Sequence, residues 1–411
     1  MSPALCFIPL PERRINDPLI VVASRLIVRK RARFHRFSQR LSACLLSAIA
    51  LASVSAAEPG ALEPAPSIYD KIWRYAEWYN DKDNPLIQSF RFTGRFQLDY
   101  ALVEADQGNH DEWNIRRFRL GGEAKLFREF TLHSEVDLNP QEPHPVYQRL
   151  TDMYVAWSRS QDFRITMGKH SAPFTMDGST SSRELVAIDR SNLANNLWFP
   201  QEYIPGVSVS GRPGQWRYWA GVYSSGAANK EFGEFNGGAF LLTMVGYDFG
   251  KILHVKQAVL AGNYVYNEPD VNNTFTRSLH HIGSLNFSLD TGKWGLRTDL
   301  AAGSGYLGQS DLWGAMLMPF YSITDHFQLV ARYTYLKGEH PNSVRLAAYE
   351  NIVVPGRGDE YNEFYLGLNY YFYGHKLKLQ TGVQYAQMRD QAGDGGAYRG
   401  WAWTTGLRIS W

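Results

Sequence analysis

The amino-acid sequence predicts an all-β chain that folds as a 16-stranded antiparallel transmembrane β-barrel. Three observations support this prediction: an exported chain without cysteine, strands with one aromatic and one charged face, and links of alternating length. Of the 411 residues, 44% are hydrophobic and 14% aromatic, enough to bury a core, which excludes a disordered chain. After residue 57 no stretch of 18 residues is apolar throughout, which excludes membrane-spanning helices.

The first 57 residues have the order of a secretory signal peptide. Nine basic residues lie between residues 13 and 40, an apolar run covers residues 41–54, and small residues follow up to Ala57. The alternative, a permanent anchor, is disfavoured because the run is too short to span about 30 Å of hydrocarbon. We predict cleavage next to Ala56 or Ala57, and the long basic region suggests that translation starts downstream of Met1.

Loss of this segment changes the charge and the thiol chemistry of the chain. Both cysteines leave with it, together with nine of 42 basic and two of 40 acidic residues, so the net charge changes from +2 to −5. An exported chain without cysteine has no disulfide framework and no thiolate nucleophile or metal site. Residues 58–87 are then predicted to form a short, partly helical periplasmic segment with Ser67 as a helix cap. The barrel is expected over residues 88–411.

From residue 90 onward, the hydrophobic pattern has the period of two that is typical of β-strands. In the first strand, Phe96 and Leu98 alternate with Arg95 and Gln97, and similar alternation recurs to the end of the chain. In a soluble sandwich the apolar face is the core, whereas in a membrane barrel it meets lipid. Alternation alone does not separate these two folds.

The lengths of the links do separate them. Seven short links alternate with eight longer polar links, which gives 16 strands with both chain ends on the short-link side. The longer links are residues 104–111, 139–149, 170–203, 224–236, 267–276, 304–311, 337–359 and 388–399. Outer-membrane barrels have short periplasmic turns, longer extracellular loops and an even number of strands. The pattern therefore predicts a barrel in contact with the outer-membrane lipid of a Gram-negative bacterium.

The last strand supports this localisation, because it alternates from Trp403 to a terminal Trp411. An aromatic terminal residue of this kind resembles the signal read by the outer-membrane insertion machinery, which we expect as a partner. A cation on the lipid face costs roughly 2–4 kcal/mol at the bilayer midplane, so the arginine-bearing faces should point inward.

Sixteen strands enclose an aqueous channel unless a segment folds into it. The third long link, residues 170–203, is the candidate because Leu185, Ile188 and Leu193 have a helical spacing. We predict that this link folds inward and narrows the pore. The alternative is a lid outside the barrel.

Four stretches resemble the phosphate-selective porins O and P, and the resemblance is clearest over residues 91–211. The stretches are RRFRLGGEAKLF at 116–127, GKHSAPF at 168–174, STSSRELVAIDRSNL at 179–193 and PGVSVSG at 205–211. The resemblance implies a homotrimer of 16-stranded barrels, with the third loop in the pore and basic residues at a constriction.

By position, the first-strand arginine of that family corresponds to Arg95, and its arginine pair to Arg116 and Arg117. Guanidinium groups stay charged and bind phosphate oxygens through a bidentate fork. The residues expected to line the pore and bind anions are Arg91, Arg95, Arg116, Arg117, Arg119, Lys169, Arg183 and Arg190.

Three features depart from the phosphate-binding members of the family. Gly178 stands where those members have a lysine, and Thr151 where they have an aspartate, although Asp152 is adjacent. Strict alternation also lets only one of Arg116 and Arg117 face the interior. We therefore predict an outer-membrane channel for passive diffusion of small anionic or neutral solutes, with phosphate as one candidate.

A non-conducting structural or adhesin barrel and a barrel hydrolase are the alternative functions. A hydrolase needs a nucleophile with a base in reach, and the chain has no G-x-S-x-G motif. His280 and His281 are neighbours on one strand and point to opposite faces, so both cannot ligate one metal unaided. We expect no enzymatic activity, cofactor, metal or nucleic-acid partner.

Overall fold

The structure is a computed structural model, which describes residues 67–141, 144–197, 203–225, 238–272 and 277–411. The predicted signal peptide, residues 1–57, lies outside the described residues, as do residues 58–66 of the predicted periplasmic segment. No helix within the described residues is long and apolar enough to cross a membrane.

Nineteen strands and five helices occur in the described part of the chain. The strands are β1 (Glu77–Asn80), β2 (Ile87–Ala105), β3 (Asn109–Leu126), β4 (Phe130–Leu138), β5 (Tyr147–Ser160), β6 (Phe163–Ser171), β7 (Tyr203–Gly211), β8 (Trp216–Ser224), β9 (Ala239–Asp248), β10 (Gln257–Asn267), β11 (Leu279–Asp290), β12 (Trp294–Gly305), β13 (Leu312–Ser322), β14 (Phe327–Gly338), β15 (Val344–Arg345), β16 (Arg357–Gly358), β17 (Glu360–Tyr373), β18 (Leu377–Arg389) and β19 (Tyr398–Ser410). The helices are α1 (Ile68–Arg74), α2 (Met176–Ser179), α3 (Asn192–Leu197), α4 (Gly250–Leu253) and α5 (Glu350–Val353).

Sixteen of these strands form a closed antiparallel barrel, which confirms the predicted fold class. Strands β2 to β14 pair in chain order, β14 pairs with β17, and β17 continues through β18 to β19. Pairing of β19 with β2 closes the barrel. The other three strands lie outside the wall: β1 pairs with the first residues of β2, and β15 pairs with β16.

Burial distinguishes the two faces of the wall. In β2 the side chains of Arg95, Gln97 and Asp99 are buried, whereas Phe92 is 38% exposed. Leu132 on β4 is likewise exposed. Polar side chains therefore face the barrel interior and apolar side chains face outward, which is the arrangement that a bilayer requires.

The first long link is shorter than predicted. Only three residues separate β2 from β3, in place of the predicted link over residues 104–111. Glu104 and Asn109 are paired residues of the ladder between these strands. Polar residues can continue a ladder because the pairing uses backbone groups, and side-chain polarity alone does not reveal this.

Two of the longer links contribute residues to the candidate functional site. Loop 3 comprises residues 172–202 between β6 and β7 and is described as far as residue 197. Loop 7 comprises residues 339–359 between β14 and β17 and contains β15, α5 and β16. Both leave the same end of the barrel, which we call the long-loop end. The opposite end is the short-turn end.

The segment before the barrel is bound to the short-turn end. Ser67 caps α1, as the sequence predicted. The indole Nε1 of Trp73 donates to the carbonyl of Ser410 at 2.6 Å, and the ring of Tyr69 stacks on Tyr373. The first described residues and the C-terminal strand therefore lie side by side.

Candidate functional site

Loop 3 is hydrogen-bonded to interior-facing side chains of the barrel wall. These side chains extend from β14, β17, β18 and β19, and each donates to a backbone carbonyl of the loop. The pairs are Lys378 to Leu185 (2.7 Å), Asn369 to Val186 (2.7 Å), Arg332 to Asp189 (2.7 Å) and Arg408 to Ile188 (3.4 Å). Basic and amide groups of the wall therefore donate to backbone carbonyls in a part of loop 3 that has no regular secondary structure.

The helical spacing predicted in loop 3 does not produce a continuous helix. Leu185 and Ile188 lie between α2 and α3, and only Leu193 lies within a helix. All three side chains are nevertheless buried, so their apolar character is used in packing. The carbonyls near Leu185 and Ile188 accept hydrogen bonds from the wall, and this competes with the bonds that a helix would need.

Three arginines share the buried carboxylate of Glu135. Arg95 Nη2 lies 2.9 Å from Glu135 Oε1, and Arg183 Nη2 lies 3.2 Å from Oε2. Arg119 Nη1 is 3.9 Å from Glu135 Oε1. Arg95 also donates to Ser182 Oγ at 2.6 Å. Since Arg183 and Ser182 belong to loop 3, these contacts join the loop to the wall at β2, β3 and β4.

The charges in this cluster sum to a positive value. Asp137 Oδ2 lies 3.5 Å from Arg119 Nε and 3.4 Å from Arg149 Nη2. Asp152 is also buried and interacts electrostatically with Arg119. The four guanidinium groups around Glu135, Asp137 and Asp152 outnumber these carboxylates by one.

A β-bulge brings both Arg116 and Arg117 to polar partners. Gln97 pairs with Arg117, whereas its neighbour on β2 pairs with Ile115, so Arg116 is an extra residue in β3. Arg117 Nη1 donates to Gln97 Oε1 at 2.9 Å, and Arg116 Nε lies 3.4 Å from Asp189 Oδ1 of loop 3. The prediction that only one of the two arginines reaches the interior is therefore wrong, because the bulge breaks the alternation.

The other predicted residues have different surroundings. Arg91 is exposed and pairs with Glu123 at 2.8 Å, towards the short-turn end. Lys169 is buried at the end of β6. Arg190 donates to two carbonyls within loop 3, at 2.8 and 3.0 Å. Arg190 therefore stabilises the shape of loop 3, whereas Arg91 pairs with Glu123 and interacts electrostatically with Arg183.

The two positions that depart from the phosphate-binding pattern are both buried. Gly178 N donates to Thr175 Oγ1 at the start of α2. Thr151 Oγ1 donates to the carbonyl of Glu135 at 2.8 Å. Asp152, next in sequence, supplies a carboxylate close to the arginine cluster. The carboxylate that Thr151 lacks is therefore provided one residue further along β5.

Further basic residues that contact loop 3 were absent from the predicted set: Arg332, Arg408 and Lys378. Arg332 Nε lies 2.7 Å from Glu363 Oε1, and Arg408 pairs with Asp99. All three are buried in the polar register of their strands. The alternation of the sequence could have indicated these residues, because they occupy the polar positions of their strands. The four stretches that resemble the porin family end earlier in the chain and do not include them.

Loop 7 packs directly on loop 3. Arg345 N donates to Asn196 Oδ1 at 2.8 Å, and Asn196 Nδ2 donates to Arg345 O at 3.0 Å. Tyr349 OH donates to Asp99 Oδ2 on β2 at 3.2 Å. Tyr349 and Val344 are buried. The wall and two loops therefore form one connected set of contacts.

Comparisons with known proteins agree with this architecture. The family profile described as phosphate-selective porin O and P matches residues 90–316. Among solved structures, the anion-selective porin from Comamonas acidovorans has a TM-score of 0.55 at 13% identity, over 79% of this chain and 99% of that chain. OmpF of Salmonella typhi, in complex with daunomycin, has a TM-score of 0.55 at 12% identity, over 82% and 100%.

OmpT of Vibrio cholerae in its trimer form has a TM-score of 0.50 at 15% identity, over 78% of this chain and 99% of that chain. No curated protein matches the sequence significantly. The profile match covers more than half of the chain, and the fold is that of the outer-membrane porins. These findings support a channel for passive diffusion in the Gram-negative outer membrane. The chain belongs to the phosphate-selective porin O and P family.

Proposed function

We propose that this channel conducts small solutes with a preference for anions, phosphate among them, through a constriction formed by loop 3. The observation that carries the proposal is the binding of loop 3 to interior-facing side chains of five strands, β2, β14, β17, β18 and β19. These five strands are consecutive neighbours, and they lie across the barrel from β6 and β7, between which loop 3 leaves the wall. A loop bound to this arc crosses the barrel interior. Its position narrows the pore.

The arginine cluster supports the anion preference. The surplus positive charge around Glu135 lies where Arg183 of loop 3 meets the wall. Selectivity depends on the charges around the narrowest ring of a pore and not on the net charge of the protein. Because carboxylates already bind these arginines, the constriction favours passing anions without holding them tightly.

We further propose that the protein is exported after removal of residues 1–57 and assembles as a homotrimer. The trimer form of Vibrio cholerae OmpT supports this assembly. Backbone bonds between Gly94 and Trp411 extend the seam that closes the barrel, and they support insertion through the C-terminal strand. Residues 58–87 are assigned to the periplasmic end, and the family supports a channel without catalytic activity.

The test is the reversal potential of the purified protein in planar bilayers under a KCl gradient. We expect stepwise currents that reverse at a potential with the sign of an anion-preferring pore. Arg117→Gln should reduce this preference because it removes a guanidinium near loop 3, whereas Arg159→Gln, at the exposed end of β5, is the matched control. Absence of current steps would support the adhesin or structural alternative, and cation preference would contradict the proposal.

A further inference from the structure

The turn between β17 and β18, at the short-turn end, is contacted by two segments that lie far apart in the sequence. One is helix α1, which precedes the barrel wall. The other is loop 3, which leaves the wall at the long-loop end. We call residues 373–378 the hairpin turn. The hairpin turn therefore connects α1 to the candidate constriction.

Helix α1 is bound to the hairpin turn through Tyr373. The ring of Tyr373 stacks on Tyr69, with 5.5 Å between the ring centroids, and packs against Trp73 at 5.2 Å. The Tyr373 hydroxyl donates to Asp70 Oδ1, and this bond, together with those from Ser67, lowers the pKa of Asp70. The carboxylate therefore stays ionised at neutral pH and remains an acceptor. Three side chains of α1 thus hold one ring of the hairpin turn.

Strand β19 supplies a second connection between α1 and the hairpin turn. Trp73 Nε1 donates to the carbonyl of Ser410 at 2.6 Å. The backbone N–H of Ser410 donates to the carbonyl of Lys376 at 2.8 Å, and its hydroxyl donates to the carbonyl of His375 at 3.5 Å. Helix α1 therefore restrains the backbone of the hairpin turn as well as the side chain of Tyr373.

The hairpin turn also holds the backbone of loop 3. Lys378 Nζ donates to the carbonyl of Leu185 at 2.7 Å and to His375 Nδ1 at 3.3 Å. The His375 ring forms a further hydrogen bond with the backbone of Arg183. Arg183 is the residue through which loop 3 reaches Glu135, at 3.2 Å. The hairpin turn therefore fixes the loop backbone beside a cation of the arginine cluster.

The contact of Lys378 with loop 3 is more deeply buried than the contacts with α1. Lys378 is fully buried, whereas Tyr69, Trp73 and Tyr373 are only partly buried. The ladder between β17 and β18 uses backbone groups of the wall and does not depend on these side chains. A change at the contact with α1 can therefore loosen the hairpin turn without opening the wall.

We propose that α1 is a brace for the constriction, and that Tyr373, His375 and Lys378 are positioning residues that transmit its support to loop 3. The proposal rests on the proposed function, since it takes loop 3 to narrow the pore. Packed side chains and hydrogen bonds carry coupling of this kind when both sites bias one element. The current through the channel then depends on a segment that precedes the first wall strand. A helix that only anchors the chain would stabilise the barrel and leave the current unchanged.

The experiment records single-channel current through the full-length protein in planar bilayers. Tyr373→Ala removes the ring and the hydroxyl that bind α1. We expect brief interruptions of the current to become about tenfold more frequent, which is the scale expected for the loss of two aromatic pairs. Phe249→Ala is the matched control, because Phe249 also lies in a link at the short-turn end and packs on Tyr247 at 4.7 Å. The control should retain the wild-type frequency.

A double-mutant cycle distinguishes the brace from general destabilisation. Lys378→Met removes the donor to Leu185 directly. If the hairpin turn transmits the support of α1, Tyr373→Ala and Lys378→Met act on the same connection. The double variant should then show about the frequency of Lys378→Met alone. Frequencies that multiply would overturn the proposal, because independent effects add in free energy.

Folding is checked by the mobility difference between unheated and heated samples in gel electrophoresis. If Tyr373→Ala does not fold, Tyr373→Phe replaces it. That variant keeps the ring and loses only the bond to Asp70, so a smaller increase in frequency is expected.

The brace and the proposed function fail separately. A folded Tyr373→Ala channel with the wild-type frequency overturns the brace alone if Lys378→Met still changes the current. A current that changes with neither substitution contradicts the constriction by loop 3, and the brace with it.

Discussion

Asn196 and Arg345 bind each other through two reciprocal hydrogen bonds. The backbone N–H of Arg345 donates to Asn196 Oδ1 at 2.8 Å, while Asn196 Nδ2 donates to Arg345 O at 3.0 Å. The asparagine amide thus pairs with the loop backbone as a neighbouring strand would. Asn196 is only 3% exposed, so water does not compete strongly for these bonds. This pair joins loop 3 to loop 7.

Asn196→Ala should therefore release loop 7. The backbone N–H of Arg345 loses its bond to Asn196, at a local cost of about 1–3 kcal/mol, while its carbonyl still accepts from Asn192 Nδ2 at 2.9 Å. We expect faster cleavage of loop 7 in limited proteolysis of the folded barrel, and noisier single-channel current. Asn351→Ala, an exposed position in the same loop, is the control. Equal cleavage rates in the two variants would contradict the role of the pair.

Glu135→Gln should increase the anion preference and reduce the stability. The substitution removes the charge that Arg95, Arg119 and Arg183 share, and loss of a partner in a buried ion pair costs about 3–5 kcal/mol. Reversal potentials and urea unfolding measure the two effects. Glu360→Gln is the control, because its partner Arg389 is exposed and the pair should contribute less than about 1 kcal/mol. A folded Glu135 variant with lower anion preference would contradict this account.

Gly94→Ala should weaken closure of the barrel. A Cβ at Gly94 would lie 2.3 Å from Cζ2 of Trp411 and 2.7 Å from the carbonyl of Arg119, so the ring or the strand must move. We expect a loss of about 1–3 kcal/mol and a smaller folded fraction in gel electrophoresis of unheated samples. Gly283→Ala on β11 is the control, since no atom lies within 4 Å of its added Cβ. The same folded fraction in both variants would refute the argument.

Glu350 should make the stability depend on pH. Burial and the neighbouring Glu363 raise the pKa of Glu350 from 4.5 to about 8. The folded chain therefore retains a proton that the unfolded chain releases, and the free energy of unfolding falls as pH rises from about 4.5 to about 8. The slope reaches at most about 1.4 kcal/mol per pH unit.

Urea midpoints across this pH range measure the effect. Glu350→Gln should flatten the pH profile, because glutamine keeps an oxygen that can accept the bond from Gln384 Nε2 and cannot ionise. Glu360→Gln, which removes a carboxylate paired with an exposed arginine, should leave the slope as it is. A steep profile that persists without Glu350 would assign the proton to another group.

The wall of the barrel could be predicted from the sequence because alternation is a local property. Phe96 and Gln97 differ in the face they occupy, whatever strand lies beside them. The extra residue at Arg116, in contrast, could not be predicted from the local sequence. It depends on how β2 and β3 pair over their whole length, and a single strand carries no record of its partner's register.

The ion pairs could not be predicted from the sequence either. Arg95 and Glu135 are 40 residues apart, and Arg183 and Glu135 are 48 apart. Their meeting requires the register of three strands together with the path of loop 3. The basic residues could be predicted from their positions, but their neutralisation by Glu135 could not, and it determines which arginines are available to a solute.

The contact between Trp73 and Ser410 brings the segment before the first wall strand next to the end of the last wall strand. Two segments of a barrel that lie this close can be joined by a short linker, and the wall can then be cut elsewhere with little change in contacts. The short turn between Asp290 and Trp294 suits a cut because it is exposed and binds no loop of the site. Circular permutation at this turn would retain the pairing of the wall strands and would make β11 and β12 the terminal strands.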